Sequence, residues 1–308
     1  MNVLITGGYG FIGSHVAEQF YSKGHNIFIL DNLSTGKNEN VSVPHKFYQF
    51  NISDSRCSSI FEEVKFDVVV HLAAQVSVNF SIKSSLIDAE HNIIGLLNIL
   101  VNSNKHQVKK FIFASSAAIY GDNPNLPLLE SDAPAPISPY GISKCAGEMY
   151  CTHFNNHHLP TVCLRFSNVY GPRQTAQGEG GVVSIFMQDA LVEHTITIHG
   201  SGEQTRDFIF VKDVSDAIYY AATTSITGTY NVSTNERHSI NEIASYIGNL
   251  AGNIHKNYSE PRKGDILHSQ LSNEAIINQL NWKPSTSIID GLKETYQWKK
   301  SSLKVTIK

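Results

Sequence analysis

The sequence predicts an α/β fold, a doubly wound parallel sheet followed by a smaller C-terminal α/β domain. Three observations carry this. Short apolar runs rich in β-branched residues alternate with longer helical patterns through the first half of the chain. A glycine-rich turn joins the first such run to the first helix. The alternation stops after Tyr170, where Gly171, Pro172, Gly178, Gly180 and Gly181 make a loop-rich stretch and the order of elements becomes irregular.

In chain order, strands are expected over 2–6, 26–31, 46–51, 67–73, 110–115 and 161–166. Between the fourth and fifth, Ala89, Ile93, Leu96 and Leu100 recur at three- and four-residue spacing, so 86–104 reads as one long amphipathic helix. A second helix is expected from Pro139 to about 156. The tail "LNWKPSTSIIDGLKETYQW" reads as a turn and then a helix with Ile288, Ile289, Leu292 and Tyr296 on one face. The domains are expected at 1–170 and 171–308, with part of 207–233 returning to the first.

At 308 residues with 41% hydrophobic and 17% charged residues, the composition is that of an ordinary globular protein. A formal net charge of -3 offers no basic field for nucleic acid or an anionic membrane. Cys57, Cys145, Cys151 and Cys163 lack CxxC spacing and read as free thiols of a cytoplasmic protein. Neither a signal peptide nor a membrane span is expected, because Met1 leads straight into a strand pattern and no apolar run approaches the roughly 20 residues a bilayer needs. No metal site is expected. His153 and His157 have helical i, i+4 spacing but stand at a polar helix end; His71 reads as packing or cofactor-side, and Asn231 as a strand start.

The stretch "ITGGYGFIGSHV" puts Gly7, Gly10 and Gly13 between a strand and a helix. A phosphate-binding turn needs that context: a tight bend, close backbone approach to pyrophosphate, and helix N-terminal N–H groups facing the anion. Asp31 ends the second strand, where an acid accepts hydrogen bonds from ribose hydroxyls and repels a 2′-phosphate, so NAD is preferred to NADP.

In "SPYGISK", Tyr140 and Lys144 share one helix face. An ammonium near a phenol favours the phenolate and predicts a base working below a free tyrosine's pKa of about 10. The fifth strand ends in "FASSAAIYG" at the carboxyl edge, where ligands bind, so Ser115 and Ser116 are expected to face the same crevice. Ser, Tyr and Lys together can move a hydroxyl proton while NAD takes the neighbouring hydride.

With these motifs, "DNLSTG", "HLAAQVSV", "LRFSNVYGPRQ", "GEGGVV", "QTRDFIFVKDV", "EPRKGD" and a closing W.P...I..GL, the chain resembles the extended short-chain dehydrogenase/reductase family, Rossmann-type enzymes. Within it the resemblance is to the nucleotide-sugar 4-epimerases of the UDP-galactose (UDP-glucose) 4-epimerase type. It implies that Tyr140 is the catalytic base, that Lys144 lowers its pKa and holds the nicotinamide ribose, and that Ser116 shares the proton path. It implies NAD contacts at Gly7, Gly10, Phe11, Ile12, Gly13, Asp31, Asn32, Ser34, Gly36, Ile52, Leu72, Ala73, Ala74, Gln75, Asn92 and Phe166. Asn51 stands where many relatives place an acid on the adenine amino group, and its amide oxygen can accept the same bond.

For a UDP-sugar the resemblance implies Asn168, Val182, Val183 and His199, with Arg206 and Arg262 on the diphosphate and Asp265 on the uridine ribose. Two guanidiniums on phosphate oxygens make physical sense, although a salt bridge from Arg206 to Asp207 or Glu203 is the alternative. Ser269 matches a position beside the sugar C2 substituent where bulky residues exclude N-acetylated sugars; a serine leaves room for them. The resemblance also implies a homodimer through the helix after Leu86 and the helix carrying Tyr140. Dehydratases of this type carry an acidic pair in the block that here reads "SSAAIYG", and decarboxylases want an added arginine and glutamate; uronate 4-epimerisation stays open. A non-catalytic NAD-binding regulator is the alternative from another class.

Overall fold

The computed structural model describes residues 1–176, 181–252, 254–261 and 266–306. Strands β1 (Asn2–Thr6), β2 (Asn26–Leu30), β3 (Lys46–Tyr48), β4 (Val68–His71), β5 (Lys110–Ser116) and β6 (Thr161–Phe166) form where the β-branched runs predict them. The short strands β7 (Asn168–Tyr170), β8 (Thr195–His199), β9 (Thr205–Arg206) and β10 (Phe208–Phe210) follow, then β11 (Gly228–Val232), β12 (His238–Ser239) and β13 (His255–Ser259). Seven strands make one parallel sheet in the order β11-β6-β5-β4-β1-β2-β3. The order reverses between β1 and β4, which opens a crevice at the carboxyl ends of those two strands.

The helices are α1 (Phe11–Ser22), α2 (Cys57–Glu63), α3 (Val78–Lys83), α4 (Ser85–Ala89), α5 (Leu96–Lys105), α6 (Pro139–Asn155), α7 (Val182–Val192), α8 (Val211–Thr223), α9 (Ile240–Ala251), α10 (Glu274–Leu280) and α11 (Ile288–Thr306). The sheet is covered on both faces, which is why its strands are almost continuously apolar. Val16, Phe20, Val214 and Ile218 pack on one face with Ile276 of α10; Ile60, Phe61, Leu96, Leu100 and Cys151 pack on the other. A separate core gathers Val183, Met187, Ile196, Ile198, Phe208, Ile243, Ile247 and Leu292.

Some expectations change. The single helix expected over 86–104 is α4 and α5 joined through a π-helical segment, Glu90–Gly95. Gly95 lets Ile52 press against the helix there, since a Cβ at Gly95 would sit 2.6 Å from Ile52 Cδ1. The third strand stops at Tyr48, so Asn51 lies in the following turn with its Oδ1 accepting from the Ser53 N–H at 3.2 Å. On α11, Ile288, Leu292 and Tyr296 face the second core, whereas Ile289 is exposed. Asn231 is the fourth residue of β11, not its start, and is buried. The four cysteines are free thiols. No described helix is long and apolar enough to cross a membrane.

Candidate active site

Gly7, at φ +69°, bends the chain out of β1, and its N–H donates to Leu30 O at 2.8 Å. A Cβ at Gly7 would lie 2.8 Å from Ala73 N, and one at Gly13 only 2.1 Å from Gly7 O, so the loop closes only without side chains there. Gly10 is the N-cap of α1 and has no side chain to cap it. The N–H groups of Phe11, Ile12 and Gly13 therefore open the helix toward the crevice with no carbonyl a turn below them. This cradle suits a pyrophosphate.

The Asp31 carboxylate stands beside the loop, accepting from Tyr9 N at 3.0 Å and Leu33 N at 2.8 Å. Gly36 closes over it, its absent Cβ lying 3.0 Å from Asp31 Oδ2. In the same turn Asn32 Oδ1 accepts from Ser34 N at 3.0 Å. Beyond β4, Leu72 N and Ala73 N donate to Thr6 O and Thr6 Oγ1, both at 3.2 Å, which sets Leu72, Ala73, Ala74 and Gln75 along the crevice. His71 packs under them, its Nδ1 3.0 Å from Thr6 Oγ1; burial, then the Lys144 charge, pushes its pKa down to about 3.

Two of the expected cofactor residues, Ile52 and Asn92, are also engaged with the protein itself. The Ile52 side chain is packed in the core, so only its backbone can meet a ligand. Asn92 spends its amide on the protein: Oδ1 accepts from Gln75 N at 2.8 Å, and Nδ2 reaches Gln75 O at 2.9 Å, Asp88 Oδ1 at 3.0 Å and Ser143 Oγ at 3.2 Å. It holds the crevice wall.

Ser138 caps α6, its Oγ accepting from Gly141 N at 3.1 Å, with Pro139 at the first turn where its missing N–H costs nothing. A Cβ at Gly141 would sit 2.6 Å from Ala118 O, so the helix starts hard against the segment that follows β5. This brings the Tyr140 side chain close enough to Ser116 for the serine hydroxyl to lower the pKa of the phenol. Lys144, one turn on, donates to Ala114 O at 2.8 Å and lies 5.7 Å from the Tyr140 ring centre. Phe166 pairs in register with Ser116 on the neighbouring strand. Ser115 is a correction: successive strand residues face opposite ways, and its hydroxyl donates to Glu148 Oε1 at 2.5 Å inside the core.

The electrostatics of the set differ from the simple expectation. Burial pushes the Lys144 pKa down to about 8, opposed first by Asp88, so it is still mostly a cation at neutral pH. Tyr140 is partly exposed as a residue, yet desolvation of its hydroxyl pushes it up to about 12, opposed by the Ser116 hydroxyl and reinforced by Asp88. Burial is therefore the largest influence on the phenol, and it favours the protonated form.

On the other side of the crevice, Asn168 starts β7 and is exposed. Val182 and Val183 form the first turn of α7, where Val183 is buried in the second core. His199 ends β8 and its Nδ1 lies 2.8 Å from Ser259 Oγ. Arg206 Nη1 donates to Thr205 O at 2.9 Å and Leu267 O at 3.3 Å, while Ser269 N donates to Thr205 O at 3.1 Å. These bonds bring Arg206 and Ser269 together across 63 residues of sequence. Asp207 is taken by Thr234, Asn235, Ser167 and Leu271. Arg262 and Asp265 lie outside the described residues.

Three neighbours of the set escape sequence reasoning. Tyr140 N donates to Ser81 Oγ at 3.1 Å, Ser143 Oγ donates to Tyr140 O at 2.9 Å, and the buried Asp88 accepts from Gln75 and Asn92. Asp88 stands four residues before Asn92, a helical spacing that could have flagged it. His153 and His157 lie with ring centroids 4.3 Å apart, tilted by 32°, at the helix end, with His157 Nδ1 2.7 Å from His153 O.

Comparison with known proteins sets the fold beside solved epimerases. A UDP-glucose 4-epimerase of Thermotoga maritima, solved with UDP-glucose, is 40% identical and superposes with a TM-score of 0.96 over 98% of this chain and 100% of that one. The UDP-glucose 4-epimerase of Thermus thermophilus, solved with NAD, is 37% identical with a TM-score of 0.92 over 97% of this chain and 98% of that one. A UDP-N-acetylglucosamine 4-epimerase of Methanobrevibacter ruminantium, solved with UDP-N-acetylmuramic acid, is 35% identical with a TM-score of 0.94 and 98% coverage of both chains. Residues 3–233 match the model of the NAD dependent epimerase/dehydratase family, and the chain belongs to that family.

Proposed function

We propose that this protein is an NAD-dependent 4-epimerase of UDP-hexoses, interconverting UDP-glucose and UDP-galactose. The observation that carries the reading is the pairing of Tyr140 and Lys144 on one face of α6, tied by the Lys144–Ala114 bond to β5 and its terminal Ser116, at the carboxyl edge of the sheet where the glycine turn also opens. The relatives' substrates support it. The residues fit NAD: an uncapped helix N-terminus for pyrophosphate and a carboxylate for ribose hydroxyls. Bound there, NAD would supply reversible hydride transfer at the sugar C4 and a positive ring that favours the Tyr140 phenolate. Tyr140 takes the C4 hydroxyl proton and gives it back, with Ser116 holding both oxygens in line. Lys144 fixes the helix to β5 and supplies the local cation.

In this reading residues 1–170, with part of 207–233, hold NAD, and 171–308 hold the nucleotide sugar through Asn168, Val182, Val183, His199, Arg206, Arg262 and Asp265. The enzyme works in the cytoplasm. It works as a homodimer: Ile87, Ile94 and Val101 recur every seven residues on one exposed stripe, as do Ile142 and Met149 on α6, and α6 packs against the π-helical segment. Light scattering at the monomer mass would sink that part. Ser269, close to Arg206, carries a small side chain where a bulky one would exclude an acetamido group, so in this reading UDP-N-acetylglucosamine and UDP-N-acetylgalactosamine are substrates too, as the relative of that name supports.

The test is product analysis by NMR with each UDP-hexose and no added NAD. Epimer formation by the wild type and its loss in Tyr140→Phe are expected. Undiminished turnover by that variant overturns the mechanism.

A further inference from the structure

Asp88 is 1% exposed, and among the described residues no Lys or Arg forms an ion pair with it. Its Oδ1 accepts from two neutral amides, Gln75 Nε2 at 2.9 Å and Asn92 Nδ2 at 3.0 Å. A buried carboxylate held only by amides is costly unless a cation answers it nearby. The segment that carries it, α4 and the π-helical turn, packs directly against α6. From there a continuous path runs through Asn92 Nδ2 to Ser143 Oγ at 3.2 Å and on to the Tyr140 carbonyl at 2.9 Å.

The other groups facing Tyr140 and Lys144 cannot play this part. Glu148 on α6 is already paired with Arg165 at 2.7 Å, with Ser115 and Arg165 Nε on its Oε1. His71 on β4 is held neutral, Cys151 on α6 carries a thiol, and Ser116 on β5 is a hydroxyl. Among these side chains, Asp88 is the carboxyl group whose hydrogen-bond partners are amides alone.

We infer that Asp88 is a positioning residue for proton transfer: its carboxylate is the buried counter-charge of Lys144 and ties the Gln75 turn, through Asn92 and Ser143, to the first turn of the catalytic helix. The inference rests on reading Tyr140 and Lys144 as the proton-transfer pair. Its charge acts on both partners in one direction, raising the proton affinity of Lys144 and of Tyr140. The carboxylate therefore keeps the ammonium charged while delaying the phenolate.

Asp88→Asn keeps the volume and the Oδ1 acceptor and removes the charge; Asp88→Thr serves if that variant does not fold. Two measurements decide the matter. In trace acetylation of the purified protein, read on the Lys144 peptide by mass spectrometry, the midpoint of reactivity against pH should fall by on the order of one unit in the variant, about tenfold in proton affinity. In kcat/KM profiles the acidic limb should move the same way, which lost packing alone would not produce. Coincident labelling midpoints overturn the inference. Should the wild type turn over no UDP-hexose, the functional reading falls and the labelling midpoint alone decides the role of Asp88.

Discussion

The Lys144 ammonium donates to the Ala114 carbonyl at 2.8 Å, joining the second turn of α6 to the end of β5. The bond does two things: it satisfies a buried carbonyl, and it fixes the distance between Tyr140 and Ser116, which stand on the two joined elements. Lys144→Met keeps the stem and loses both the cation and the donor. We expect kcat to fall by about 10²–10³-fold and stability by about 1–3 kcal/mol, read by steady-state kinetics and thermal melting.

Gly13 has no room for a methyl group, because its Cβ would meet Gly7 O at 2.1 Å. Gly13→Ala must push the loop apart or displace the start of α1. The expected result is a protein purified without NAD, seen as a lower 260-to-280 nm absorbance ratio, with a melting temperature below that of the wild type. Undisturbed cofactor content would contradict the cradle described above.

Glu148 and Arg165 form a buried bidentate pair, and Arg165 Nη1 continues to Tyr120 Oη at 2.8 Å, which donates to Asn231 Oδ1 at 2.7 Å. Glu148→Leu leaves the guanidinium uncompensated in the core. A loss of about 3–5 kcal/mol is expected in urea denaturation, and Glu148→Leu with Arg165→Met should recover much of it. A double variant no more stable than the single one would mean the network cannot be replaced by packing.

His15 and His71 give the fold an acid limit. His15, buried with Nε2 3.0 Å from Pro172 O, is pushed down to about 4 by burial, and His71 to about 3. An unfolded histidine binds its proton near pH 6.5, so the unfolded chain takes up protons first as pH falls. Their contribution is present in full above pH 6.5 and drains away as pH drops toward 4 and then 3. Melting temperature should fall steeply across that window and less steeply in His71→Asn; a pH-independent melting temperature between 6.5 and 4.5 would refute it.

Much of the molecule is legible in the sequence. The first and sixth strands match their expected bounds, α6 starts at Pro139, and Gly7, Gly13, Asp31, Ser116, Tyr140 and Lys144 meet at one edge of the sheet. Local signals suffice there, because a strand that is β-branched throughout, a glycine turn and a capped proline start each act within a few residues. Ser115 and Ile289 are misplaced by sequence reasoning because their roles depend on what lies opposite: Glu148 for the first, solvent for the second.

The order of residues along the chain is enough to establish the family, the parallel sheet with its dinucleotide turn, and the residue types able to move a proton and a hydride. Their charge states come from the folded molecule, since desolvation around Tyr140 and Lys144 and the lone carboxylate of Asp88 are produced by segments about 50 residues apart packing together. Motifs fix which groups are present; burial and the neighbours that tertiary packing supplies fix how tightly each one holds its proton.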